Sequence, residues 1–280
     1  MKSGFVAIVG RPNAGKSTLV NALCGAHVSI VSNKPQTTRH QVRGVRTRPD
    51  SQVIFVDTPG LHKPVTALGE RLNSTATEAL DGVDVVWFVV DATKPFGRGD
   101  QWVADRLPPG AVVVVTKTDR ADRAQVFKQL QAAQAAVPGA AAFFPVSGKT
   151  HEGLDALLDD TVARFEEGPL YYPEEMISDL DEDRLIAELV REQLLALTDQ
   201  ELPYSIATRV SDHTDRRITC EIVVERESQK GMVIGKGGLL LKEVGIAVRR
   251  QLPEGIFLEL RVRVDPNWQR RPDRVERLGY

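Results

Sequence analysis

The tightest constraint on this chain is the octapeptide GRPNAGKS at residues 10–17. It fits the pattern G-x-x-x-x-G-K-[ST] directly after an apolar run, FVAIV, and directly before a helix-compatible one, TLVNALCG. Glycines let such a loop curl until successive N–H groups converge on an anion, and the helix that follows adds the positive end of its dipole. Gly10, Arg11, Pro12, Asn13, Ala14, Gly15, Lys16, Ser17 and Thr18 are therefore expected to cradle phosphates, with Lys16 reaching the terminal ones and Ser17 binding Mg2+. A merely structural glycine-rich turn is the bland alternative. The strand before and the helix after weigh against it.

Five apolar, β-branched runs dominate the first part of the chain: FVAIV, VIFV, DVVWFVV, AVVVV and AAFFPV. Continuous rather than alternating, they suit parallel strands covered on both faces, and their separations suit crossover helices. The expected fold is α/β, a doubly wound, mostly parallel sheet over residues 1–167. GPLYYPEEM, with its prolines, glycine and adjacent tyrosines, marks a linker over 168–182. Beyond it Leu185, Ile186, Leu189, Val190, Leu194 and Leu197 recur at helical spacing behind an acidic segment. Strands near Tyr204–Val210 and Ile218–Val224, a glycine-rich turn, a helix from about Leu239 to Gln251 and a strand from about Ile256 to Val264 complete a smaller α+β unit over 183–280.

Three further motifs lie downstream of the phosphate loop in an order that loops alone do not produce. In VIFVDTPG, Asp57 ends a strand and can hold Mg2+, while Thr58, Pro59 and Gly60 follow where an N–H can meet a γ-phosphate. In AVVVVTKTD, Asp119 is an acceptor-only carboxylate suited to the two donors on the guanine Watson–Crick edge; adenine offers an acceptor there, so the base is guanine. Thr116 precedes Lys117, whose alkyl stem can cover the base, and Ser147, Gly148 and Lys149 supply N–H groups for the guanine carbonyl.

In the tail, GMVIGKGG places Gly235, Lys236, Gly237 and Gly238 between two helical segments, matching the GXXG turn with which a KH domain clamps four single-stranded nucleotides. A helix–helix connection is the alternative for that turn. Charge agrees weakly with a polyanionic partner: cut after Gln200, the front has 21 Lys+Arg against 26 Asp+Glu, and the tail 15 against 12. Cys24 and Cys220 are too few for a disulfide framework or a zinc site, and the five histidines lack ligand spacing. MKSGFVAIVG runs straight into the phosphate loop and does not read as a signal peptide, and no apolar run is long enough to span a bilayer, so cytoplasmic residence is expected.

Taken together, GRPNAGKS, DTPG, TKTD and SGK resemble the motifs of translation-factor-type GTPases. PQTTRH at 35–40, ELPYSI, VERESQKGMVIGKGG and DPNWQRRPDRVERLGY resemble the Era family, whose members join a GTPase domain to a type II KH domain. That resemblance implies a GTP/GDP switch of slow intrinsic rate that binds the 3′ end of small-subunit rRNA, assists small-subunit assembly, works as a monomer and associates with the inner face of the membrane. It also implies that Thr38, beside Thr37, closes over Mg2+, and that Arg249, Arg250, Trp268, Arg270 and Arg271 join the GKGG turn in contacting RNA. Thr116 stands where the family has Asn, and Gly148 where it has Ala. Leu61 replaces the water-positioning glutamine of Ras-like enzymes. The resemblance places K+ beside Asn13 as a stimulator of hydrolysis. An RNA-binding scaffold with only a structural nucleotide, and a P-loop ATPase or kinase, are the rival readings.

Overall fold

The computed structural model describes residues 1–199 and 202–280. They form two compact units, Met1–Val31 with Gln36–Pro64 and Leu72–Asp179, and Leu180–Tyr280 with the short stretches Ser32–Pro35 and Val65–Arg71.

In the first unit β1 (Lys2–Gly10), α1 (Lys16–Cys24), β2 (Val42–Arg48), β3 (Ser51–Asp57), the part of α2 (Ala67–Glu78) from Leu72 onward, β4 (Val85–Asp91), α3 (Arg98–Ala104), β5 (Val112–Thr116), α4 (Arg123–Ala136), β6 (Ala142–Pro145) and α5 (Leu154–Arg164) follow in order. The sheet runs β2-β3-β1-β4-β5-β6, parallel except for the β2–β3 pair. Alternation along each strand sends Ala7, Val9, Val86, Phe88, Val90, Val113 and Val115 to one face, where Ala76 of α2, Val103 of α3 and Ala133 of α4 pack on them. α1 and α5 pack against β1. The order reverses at β1, so the carboxyl ends of β1, β3, β4 and β5 open onto one crevice, the usual ligand position in such sheets.

Strand β2 has no counterpart among the apolar runs. It is an edge strand in which only Val42, Gly44 and Val45 are buried, and VRGVRTR carries three arginines, so it lacks the continuous hydrophobicity of the central strands. Its outer side is partly paired: residues 168–179, within the expected linker, belong to the first unit, with Gly44 bridging Ser178 and Val45 N–H donating to Ile177 O at 2.7 Å. The wholly buried Gln52 fixes this strap, its amide donating to Tyr172 O (2.8 Å) while its oxygen accepts from the N–H groups of Tyr171 (2.8 Å) and Tyr172 (3.1 Å).

The second unit comprises α6 (Glu182–Leu197), α7 (Leu202–Ser205), β7 (Ala207–Thr214), β8 (Arg217–Val224), α8 (Glu227–Ile234), α9 (Leu239–Arg249), β9 (Phe257–Val264) and α10 (Pro272–Arg277). The stretch read as a strand from Tyr204 therefore begins with a helical turn, and β7 starts at Ala207. Asp181 caps α6 by accepting from Arg184 N–H at 2.8 Å, and Glu182 and Asp183 favour its dipole. The sheet order β7-β8-β9, antiparallel then parallel, is covered on one face by α6, α8 and α9, which share a core of Ile186, Val190, Leu194, Ile222, Val233, Val244 and Val248. Trp268, expected to contact RNA, is instead fully buried, its indole N–H donating to Ser205 O at 2.9 Å and its ring stacked with Tyr280. A side chain packed in the interior has no face left to offer a base. Among the described residues no helix is long and apolar enough to cross a membrane.

Candidate functional site

The loop after β1 reaches its shape through two residues in left-handed conformations, Asn13 (φ 62°) and Gly15 (φ 98°), after which Lys16 opens α1. Gly10 is required by crowding: a Cβ there would stand 2.4 Å from Val89 O. A loop that turns its N–H groups inward turns its carbonyls outward, and those carbonyls need donors. Lys16 Nζ lies 3.4 Å from Gly10 O and 3.2 Å from Arg11 O, and Leu61 N–H also donates to Gly10 O. The Thr116 hydroxyl donates to Ala14 O and lies 3.1 Å from Val90 O, so the residue that replaces the family's asparagine still ties this strand end to the phosphate loop. Lys117, itself left-handed (φ 61°), donates to Asn13 O at 2.6 Å and to Asp91 Oδ2 at 2.7 Å.

Asp91 was not among the expected residues. Burial raises its carboxyl, but Lys117 and the N–H and hydroxyl of Thr93 outweigh burial and hold it below the ordinary carboxylate range. The sequence signal was an acid ending the apolar run of β4. Arg11 was expected on the phosphates; its guanidinium is turned to Asp100 of α3 at 2.9 Å, and a Cβ on Gly99 would meet Arg11 Nε at 2.8 Å.

Ser17, Thr38 and Asp57 come together. Ser17 Oγ donates to Asp57 Oδ2 at 2.7 Å, and Thr38 Oγ1 lies 2.8 Å from Ser17 Oγ, with Thr37 as its buried neighbour. Asp57 Oδ1 is buried without a hydrogen-bond partner. Burial pushes the Asp57 carboxyl up, opposed by Lys16 and the hydroxyls of Ser17 and Thr38; burial pushes the Lys16 ammonium down to about 8, opposed by Asp57. Thr58 is fully buried and donates to Ile8 O at 2.7 Å, so it fixes the strand end rather than facing a ligand. Gly60 lies against Pro12, where a Cβ would come within 2.5 Å of backbone. Leu61 is buried. His62, unremarkable in sequence, joins the segment around Thr38 to the one around Gly60: Gln36 Nε2 lies 2.9 Å from its Nε2, and its Nδ1 lies 3.0 Å from Gly60 O, consistent with the Nδ1–H tautomer.

At the end of β6 the Ser147 hydroxyl donates to Asp119 Oδ1 at 2.7 Å and accepts from the N–H groups of Lys149 and Thr150, orienting an otherwise exposed carboxylate. Gly148 packs on α1 so closely that a Cβ would stand 3.2 Å from Thr18 O. Lys149 is exposed.

In the second unit Gly235, Gly237 and Gly238 all have positive φ (73°, 61° and 79°), and Lys236 projects from the turn into solvent. A Cβ on Gly235 would meet Leu240 at 2.8 Å, whereas Gly237 and Gly238 face open space. Arg249, Arg250, Arg270 and Arg271 are exposed, Arg271 beside Asp273. ELPYSI begins at Glu201, outside the described residues.

Two family models match, "50S ribosome-binding GTPase" over residues 5–117 and "KH domain" over 201–269. GTPase Era of Mycobacterium tuberculosis strain H37Rv is 45% identical over 295 aligned positions, covering 99% of this chain and 98% of that protein. This chain belongs to the Era family of GTPases. Its fold agrees with that of solved Era structures. One is Era with MgGDPNP and nucleotides 1506–1542 of 16S rRNA (TM-score 0.95, 38% identity, 100% and 99% covered). Another is a point variant of Aquifex aeolicus Era with GDP·AlF4− (0.94, 37%, 100% and 99%).

In this Era-family chain Asp91 positions Lys117. Replacing Asp91 by Asn removes the charge that orients the ammonium, and GDP affinity is expected to fall about tenfold, the scale of one charge-assisted hydrogen bond. Titration with a fluorescent GDP analogue measures it; unchanged affinity in a folded variant contradicts the assignment.

Proposed function

We propose that this protein is a GTP-hydrolysing switch that binds the 3′ end of small-subunit rRNA through its GKGG turn and assists small-subunit assembly. The observation that carries the reading is the bond from Lys117 to Asn13 O, which makes the guanine-reading strand end and the phosphate loop one piece. In this reading the loop N–H groups and Lys16 bind the β- and γ-phosphates. Asp119, aimed by Ser147, accepts from the guanine ring N–H and amino group.

Ser17, Thr38 and Asp57 form an all-oxygen set with one buried, unbonded carboxylate oxygen, which fits Mg2+, the ion present with GDPNP in the Era relative. Bound there, Mg2+ would offset charge on the transferring phosphoryl group. The chain's own part is to hold those oxygens, while Leu61 packs in the core of the sheet. Leu61 cannot orient a water molecule by its side chain, so hydrolysis depends on outside help, and we place K+ beside Asn13 in that role. The resemblance also supports a monomer in the cytoplasm with peripheral membrane association.

Turnover is expected to be faster in potassium chloride than in matched sodium chloride, and equal rates would remove the cation. The two binding functions separate in the double variant Lys236→Asp, Gly237→Asp, which sets two negative charges where RNA phosphates approach. Paired titration should show RNA affinity collapsing while that for a fluorescent GTP analogue stays nearly constant. Full RNA binding by the folded variant would reduce GKGG to a structural turn.

A further inference from the structure

Strand alternation divides the second unit's sheet into two faces. Val210, Ile222, Val262 and Val264 face the helices, and the Thr208 hydroxyl donates to Ala187 O of α6. Arg209, Glu221 and Arg263 therefore lie on the opposite face from α8 and α9, the helices that flank GKGG. There α10 closes a cavity of about 210 Å³ lined by Arg209, Arg263, Asp265, Arg274, Arg277 and Leu278.

Four guanidinium groups around one concavity repel each other unless anions intervene, and the protein supplies too few. Arg209 is engaged by Glu221 at 2.7 Å, and Arg274 lies 3.4 Å from both Asp265 and Asp273. Those pairs explain two arginines as parts of the fold. Arg263 is different: its nearest acid is Asp265, already shared with Arg274, at 3.9 Å, and its side chain is 44% exposed. Arg277 makes no ion pair or side-chain hydrogen bond among the described residues. Guanidinium donors left unused beside a cavity suit a tetrahedral oxyanion, which accepts paired N–H bonds from arginine.

We propose that this cavity is a phosphate-binding site separate from both the nucleotide loop and the GKGG turn. The phosphoryl group belongs either to the backbone of a longer RNA, a source that rests on the RNA-binding reading above, or to a free phosphate compound, which does not.

The test is the double variant Arg263→Gln, Arg277→Gln in the full chain, which spares the pairs of Arg209 and Arg274. Thermal unfolding and GTP turnover without RNA should match the parent. With nucleotides 1506–1542 of 16S rRNA, an RNA source predicts affinity about tenfold weaker and a log–log salt slope shallower by about two, one for each lost phosphate contact. A short single strand from the same 3′ end should bind as before. A free-phosphate source predicts unchanged RNA binding but loss of the pyrophosphate binding heat seen with parent protein saturated with Mg·GDP. A folded variant that matches the parent in both arms overturns the site. If the single strand fails to bind the parent, the GKGG reading falls, and the pyrophosphate arm still judges the cavity. Should the Gln pair unfold the unit, Arg277→Glu alone, on an exposed residue, is read by the same two arms.

Discussion

The Lys117 ammonium, held between Asn13 O and the Asp91 carboxylate, is the interaction on which the first unit's site depends. A phosphate loop must present its N–H groups to an anion, so its carbonyls point away and would be left unsatisfied. Here they are answered from elsewhere in the unit: Asn13 O by Lys117, Ala14 O by Thr116, Gly10 O by Lys16 and Leu61. Two of those donors come from the end of β5, which also leads to Asp119. The end of β5 and the phosphate loop are thereby tied directly, each bond running from a side chain of β5 or the residue after it to a loop carbonyl.

Beneath that frame, opposite charges are kept short of solvent and short of full compensation. Burial lowers Lys16 to about 8 and raises Asp57, each only partly relieved by the other. An anion beside the ammonium and a cation beside the carboxylate would each favour the charged form. Thr38 and Gly60 come from segments well apart in sequence, and the His62 bridge to Gln36 and Gly60 joins them. The segment carrying Thr38 and the one carrying Gly60 are thus in direct contact through one imidazole.

What could be read beforehand followed from how each feature is encoded. The phosphate loop, DTPG and TKTD were legible because the chemistry demands those residue types at those positions, and the parallel core because strands buried on both faces are written as continuous apolar runs. Strand β2 was not, since an edge strand needs only one apolar face and its arginines hid it. The strap along β2 depends on Gln52, a single buried amide that no periodicity announces. Trp268 was misread for a related reason: an aromatic among arginines suits RNA, but its burial is decided by contacts with Ser205 and Tyr280, which only the folded chain brings to it. Asp91 and His62 act through partners that only the fold brings near.

The central claim is that the first unit reads guanine through Asp119 while Lys117 and the phosphate loop hold the rest. The direct measurement is the ratio of affinities for guanosine and xanthosine diphosphates in the Asp119→Asn variant. An amide offers one acceptor and one donor where the carboxylate offered two acceptors, so GDP binding should weaken and xanthosine diphosphate binding should strengthen. A variant that keeps the parent's GDP affinity and gains nothing for the xanthosine nucleotide would contradict the account.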